Sequence, residues 1–226
     1  WYLSMQAFLY AIFPWLLAVL KKADTRRLRC IAAAIFCAQF LFSFAIWKAG
    51  LSGKAVFYLT YLCPLFRAGD FAISCCMGCL YRSRKEERIP YGAFSLLELA
   101  AVLFSGGCFF IAARQVGALG AVAFRYNVLF TPSAVLLVWL LAVGKGVISR
   151  LLSAKPFLWL AGLSPYGFLI HQVLIRYMEL AANKLGLTAH PVVWTLTVFL
   201  LTLCLSSFYK ALEHRVRKRH TKAAAQ

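Results

Sequence analysis

The stretch YGAFSLLELAAVLFSGGCFFIAA, residues 91–113, decides the fold. Its one charged side chain is Glu98. As an α-helix rising ~1.5 Å per residue, it reaches across the ~30 Å hydrocarbon core of a bilayer. It lacks the strict apolar–polar alternation of a barrel strand, and lipid admits no spanning backbone other than a helix or a closed barrel. The stretch therefore reads as a membrane-spanning helix. Working outward, similar runs lie near 1–20, 30–47 and 60–81 before it, and near 125–144, 157–179 and 191–210 after it. The expected fold is all-α: a polytopic transmembrane bundle of about seven spans over residues 1–213, with a basic tail at 214–226.

Composition agrees with this reading. The chain is 62% hydrophobic and only 14% charged, with a mean hydropathy of +0.75. A soluble domain is nearer half apolar and a quarter charged. The net charge of +18 would suit nucleic acid. Its distribution argues against such a partner, because the basic residues fall in short clusters between apolar runs. Eighteen of the 25 Lys and Arg residues follow the first, third, fifth and seventh runs, from Lys21 to Arg29, Arg82 to Arg88, Lys145 to Lys155 and Lys210 to Lys222. Only Lys48, Lys54, Arg114, Arg125 and Lys184 fall in the alternate loops. That asymmetry marks the basic loops and the C-terminal tail as cytoplasmic. The expected location is the cell (inner) membrane, multi-pass, with the lipid bilayer as solvent.

The chain starts with Trp1, directly in an apolar segment and without a basic leader. With residue 1 outside, earlier spans of the same protein are expected to be missing. Most of the eight cysteines fall inside spans. Cys76-x-x-Cys79 has neither a soluble loop nor a second ligand pair, so it reads as packing and no metal site is expected. No nucleophile elbow, phosphate-binding loop, dinucleotide fingerprint or zinc-protease motif occurs.

Ionisable side chains inside spans are costly and are functional candidates by default. Arg67 and Asp70 are three apart after Pro64, so they share a helix face and can pair. Counting from Tyr61, Asp70 lies ~13 Å deep from the outside. His171 follows Ser164-Pro165, a helix-starting dipeptide that is expected to break the sixth span. It lies ~21 Å from the cytoplasmic side, near the depth of Asp70. A structural ion pair and an interhelical histidine are the alternatives to a substrate role. Arg176 and Glu179 read as an interfacial salt bridge.

At these residues the chain resembles the acyltransferase family three membrane enzymes. Trp1-Tyr2-Leu3-Ser4-Met5-Gln6 with Phe8, Tyr10, Phe13 and Pro14 is similar to the family's W-x-L-S-x-E…F-Y…P segment. Pro64-Leu65-Phe66-Arg67 with Asp70, Phe71 and Gly78 is similar to its P-L-F-R-x-x-E-F…G block. Gly162, Ser164, Tyr166, Leu169, His171 and Gln172 fit its L-G-x-x-S-Y-x-x-Y-L-x-H-Q pattern. The stretch from Tyr209 to Arg215, with Glu213, resembles its terminal block. Gln6 stands where Glu is usual, and His214 follows Glu213 without a closing Pro.

The resemblance implies transfer of an acyl group, often acetyl, from cytoplasmic acyl-CoA (acetyl-CoA) to an extracytoplasmic glycan or lipid-linked sugar. Asp70 and His171 would then be catalytic, and Arg67, Gln172, Tyr166 and Ser164 would bind substrate. The family's key histidine follows an Arg or Lys by eleven positions in its first span, and no His here does so. The chain alone is therefore expected to lack the catalytic base. A non-catalytic carrier or assembly partner is the second reading.

Overall fold

Among the described residues, 2–84, 90–118, 121–186 and 190–223, all regular structure is helical in the computed structural model. The expected basic residues Lys85 and Arg88 and the side chain of Trp1 lie outside this description, as do the side chains of 216–226. The helices are α1 (Tyr2–Leu20), α2 (Thr25–Lys48), α3 (Gly53–Phe57), α4 (Pro64–Ser83), α5 (Tyr91–Arg114), α6 (Val122–Arg125), α7 (Thr131–Val143), α8 (Val147–Leu152), α9 (Lys155–Ala161), α10 (Ser164–Leu185) and α11 (Pro191–Ala223). Among the described residues five helical segments are long and apolar enough to cross a membrane, and α9 with α10, bent by 57°, makes a sixth if the pair is one span. The chain divides into two compact units, Trp1–Leu151 and Leu152–Gln226.

In the first unit α4 is central, packing against α1, α2 and α7. One core cluster joins Ile46, Val56, Phe66, Phe124 and Val128, another joins Phe94, Ala101, Leu140 and Val143, and a third joins Leu20, Leu28 and Cys76. Cys76 is fully buried there, as a small apolar residue would be. Large apolar side chains also cover the outside, including Leu96, Leu103, Phe109 and Val138. Gln39, Ser43, Thr60, Glu98 and Asn127 are buried instead. Lipid explains that inversion, because it solvates leucine and not amide or carboxyl groups.

The packing brings the expected cytoplasmic loops to one end. The 21–25 loop and the Arg82–Ser83 end of α4 line one cavity. The Arg150 guanidinium lies 4.8 Å from the ring of Tyr91 at the start of α5, and Tyr81 donates to the Ala142 carbonyl at 2.8 Å. At the opposite end α6 packs on α2 and α3, with Phe124 6.2 Å from Trp47.

The fifth expected span, 125–144, is not one straight helix. Residues 126–130 form turns, with Phe130 donating to the Asn127 carbonyl at 2.8 Å. Pro132 then sits in the first turn of α7, and Gly144, at φ 74, ends the helix in the left-handed region. The thirteen residues of α7 are ~20 Å long, and the flanking turns make up the rest of the distance. Reading 125–144 as one span passes over Asn127 and Pro132, the residues that mark this break.

Beyond Gly144 the chain folds back toward α5. Glu98 is fully buried. Its Oε1 accepts from Gly146 N at 3.2 Å, and its Oε2 accepts from Ile148 N at 2.8 Å and Ser149 N at 3.2 Å. These are helix-starting N–H groups that have no backbone acceptor within the helix, although Gly146 N also donates to Ser149 Oγ at 3.1 Å. Glu98 lies ~10 Å along α5 from Tyr91, where such groups meet little water. Gly146 lies against the carboxyl group, so a side chain there would collide with Glu98.

Glu98→Ala is expected to lower stability by about 2–4 kcal/mol, because the Ile148 and Ser149 N–H groups lose their acceptor and Gly146 N keeps only Ser149 Oγ. Thermal unfolding in detergent micelles measures it. Glu98→Gln should lose less, since one carbonyl oxygen remains. An unchanged midpoint in Glu98→Ala would show that these bonds carry no stability.

Candidate functional site

Cys63, extended at φ −63 and ψ 120, separates α4 from the π-helical turn Tyr58–Leu62. Pro64 starts α4 and has no N–H to offer the preceding carbonyls. Arg67 supplies the missing donor: its Nε–H bonds to the Tyr61 carbonyl at 2.9 Å. Its guanidinium also lies 4.7 Å from the Tyr61 ring centroid. Nη1 then donates to Asp70 Oδ2 at 3.0 Å, the pair that three-residue spacing on a helix permits. The side chains are 21% and 25% exposed, so the pair is neither solvated nor sealed.

A third residue completes the cluster. Gln39 of α2 donates through Nε2 to Asp70 Oδ1 at 3.1 Å and to the Phe66 carbonyl at 2.8 Å. The close crossing of α2 and α4 depends on Gly69, where a Cβ would stand 2.6 Å from Gln39 Nε2. Sequence alone marks Gln39 as a weak polar candidate in another helix. Only the crossing brings it to Asp70.

Arg67 and Asp70 line a cavity of about 500 Å³ between α4 and α7. It follows α4 to Tyr81, ~21 Å along the helix axis, with Met77, Val138 and Trp139 among its apolar lining. Asn127 belongs to the wall near the polar end. It is 4% exposed. Its Oδ1 accepts from Thr131 at 2.9 Å, while Nδ2 has no hydrogen-bond partner. A buried amide N–H needs a partner, and for Asn127 Nδ2 the cavity is where one would sit. Sequence reasoning missed Asn127 because it lies in an apolar run, and a single polar residue there carries no periodic signal.

The remaining expected site residues lie in the second unit. Ser164 and Pro165 open α10 at the 57° bend. Leu163 holds the capping position, with no side-chain cap, and Ser164 is the first helical residue. Tyr166 donates its hydroxyl to Glu213 of α11. His171, half-buried, places Nδ1 3.1 Å from the Gly167 carbonyl. A carbonyl can only accept, so Nδ1 carries the hydrogen, and neutral His171 keeps its Nε2 lone pair for another donor. Gln172 is exposed on the next position. Arg176 and Glu179 pair at 3.5 Å, both well exposed. The structure thus joins Arg67, Asp70 and Gln39 in one unit and Tyr166 with Glu213 in the other. Among the described residues no group of three or more His, Cys, Asp or Glu is placed to hold a metal ion.

Gly69→Ala is expected to push the Gln39 amide off Asp70 and to lower stability by about 1–3 kcal/mol. In a Gln39→Ala background the same change should be nearly silent, because the clashing group has gone. Unfolding midpoints of the four proteins in the cycle decide this. Simple additivity would place the cause elsewhere.

No curated protein and no solved structure matches the chain significantly. Residues 1–210 match the family described as an acyltransferase domain, the family to which the Pro64–Asp70 and Gly162–Gln172 blocks point. The match covers nearly all of the chain, and with the membrane helices it makes this protein a multi-pass membrane member of acyltransferase family 3.

Proposed function

We propose that the protein transfers an acyl group, acetyl in the expected case, from cytoplasmic acyl-CoA to a hydroxyl of an extracytoplasmic carbohydrate or lipid-linked sugar at the cell (inner) membrane. The observation that carries this reading is the Arg67–Asp70–Gln39 cluster at one end of an otherwise mainly apolar cavity. Ionisable groups are kept inside a membrane where a substrate or ion meets them. A pocket of apolar walls with a few convergent polar groups is the usual form of a small-molecule site.

The chemistry needs a hydroxyl held against a thioester. Of the five N–H donors of a guanidinium, Arg67 engages two, at Tyr61 and Asp70, which leaves three for acceptor oxygens. Asp70 uses one lone-pair site on each oxygen and keeps others for a substrate hydroxyl. Asn127 adds an unengaged amide N–H. In the second unit, His171 Nε2 serves as proton acceptor or relay, and Ser164 and Gln172 contact the sugar. Tyr166 has its hydroxyl hydrogen on Glu213, so it offers substrate only a lone pair.

The full-length gene product in membrane vesicles is expected to consume acyl-CoA and acylate a carbohydrate acceptor. Asp70→Asn and His171→Ala should each lower the rate by about 100-fold or more while leaving the amount of folded protein unchanged. Radiolabelled acyl transfer measures both. Flux of a sugar across the vesicle without acyl-CoA consumption would identify a carrier and overturn the proposal.

A further inference from the structure

A second cavity, of about 770 Å³, opens at the basic-loop end between α1, the start of α2 and the end of α4. Lys21 and Arg82 line it, with Leu28, Cys75 and Cys79 among the less polar wall. Its acidic residue, Asp24, caps α2 through Arg27 N at 3.0 Å and pairs with the Arg27 side chain at 3.8 Å. Among the described residues neither Lys21 nor Arg82 has an acidic partner. The wall presents two cations, Lys21 and Arg82, at the basic-loop end, with an apolar recess beside them.

This cavity and the Arg67–Asp70 cavity lie on adjoining faces of α4. Ser74, Met77 and Tyr81 face the first, while Cys75, Cys79 and Arg82 face the second. Among the described residues Gly78 alone lines both. A Cβ at Gly78 would meet nothing within 4 Å. Gly69, about two and a half turns earlier on the opposite side of α4, is small because Gln39 presses on it. Packing gives no such reason at Gly78, where alanine would suit a helix interior better. The missing side chain leaves free space where the two cavities adjoin.

We propose that the two cavities form one passage for the acyl donor, with Gly78 as its threshold. The inference rests on the acyltransferase reading. Lys21 and Arg82 hold the phosphates of acyl-CoA. The extended thioester-bearing arm crosses α4 over Gly78, and the acyl group enters the cavity that holds the acceptor. Gly78 and Asp70 are eight residues apart, ~12 Å along α4, a distance for an extended arm rather than a side chain. The acceptor hydroxyl oxygen then bonds to the thioester carbonyl carbon as the carbon–sulfur bond breaks. The hydroxyl proton ends on the departing thiolate, giving an ester and free CoA thiol. Gly78 acts by leaving room and touches no reacting atom.

The test uses the full-length gene product in vesicles, with Gly78→Ala, Gly78→Val and Gly78→Leu, and with Cys79 kept as the one reactive thiol of the second cavity. Transfer should fall in graded order, by about 100-fold or more for leucine, in kcat rather than in the KM for acyl-CoA. Coenzyme A should slow maleimide alkylation of Cys79 equally in the parent and in Gly78→Leu, because the phosphate end still binds. Lys21→Ala with Arg82→Ala should remove that protection and raise the KM for acyl-CoA about tenfold. Parent-like transfer by Gly78→Leu overturns the passage and leaves the acyltransferase reading standing. Loss of protection together with transfer in Gly78→Leu also overturns it, since the bulk would then block binding rather than crossing. A parent that transfers no acyl group overturns the functional reading, and the passage with it.

Discussion

Wherever a helix breaks inside a slab without water, a side chain must take over the hydrogen bonds that the backbone gives up. Much of the first unit is organised around two such breaks. At Cys63–Pro64 the Tyr61 carbonyl takes the Nε–H of Arg67. At Gly144–Gly146 the N–H groups that open α8 converge on Glu98. A polar side chain in lipid needs its own satisfaction, so each repair draws in further partners. Arg67 brings Asp70, Asp70 brings Gln39, and Gln39 requires the bare backbone of Gly69.

The candidate site therefore arises from the same bonds that hold the helices together. Arg67 is a structural donor toward Tyr61 and Asp70, and its three remaining N–H groups can meet a ligand. That dual role lessens the penalty of keeping a guanidinium in the membrane and fixes its direction, which a binding site needs. Asn127 is the complementary case. It arises from the turns that shorten α7, and half of its amide is left unpaired in a cavity wall. Glu98, by contrast, has both carboxyl oxygens engaged by backbone, so its role is to shape the basic-loop end.

Much of this was legible in the residues. Runs such as 91–113 are too long and too apolar for anything but a spanning helix. The clustering of Lys and Arg separates the two ends, and the packing places Lys21, Arg82 and Arg150 accordingly. The pairing of Arg67 with Asp70 follows from helical spacing alone. The bend before α10 follows from Ser164-Pro165. The break within 125–144 does not show in hydropathy, because an average over the whole run outweighs Asn127 and Pro132, the residues that mark it.

The sequence by itself determined the solvent, the helical class, the polarity of the two ends and the family, because each of these is a property of local composition or of motifs in order along one chain. Tertiary structure decided which polar residues share a site. Gln39 and Asp70 are thirty-one positions apart, and Glu98 and Gly146 are forty-eight apart. Nothing in their local patterns connects them, because a helix periodicity says which face a residue occupies and not which helix will cross it. Helix crossings are set by where small residues permit close approach, and that choice is made by the assembled bundle.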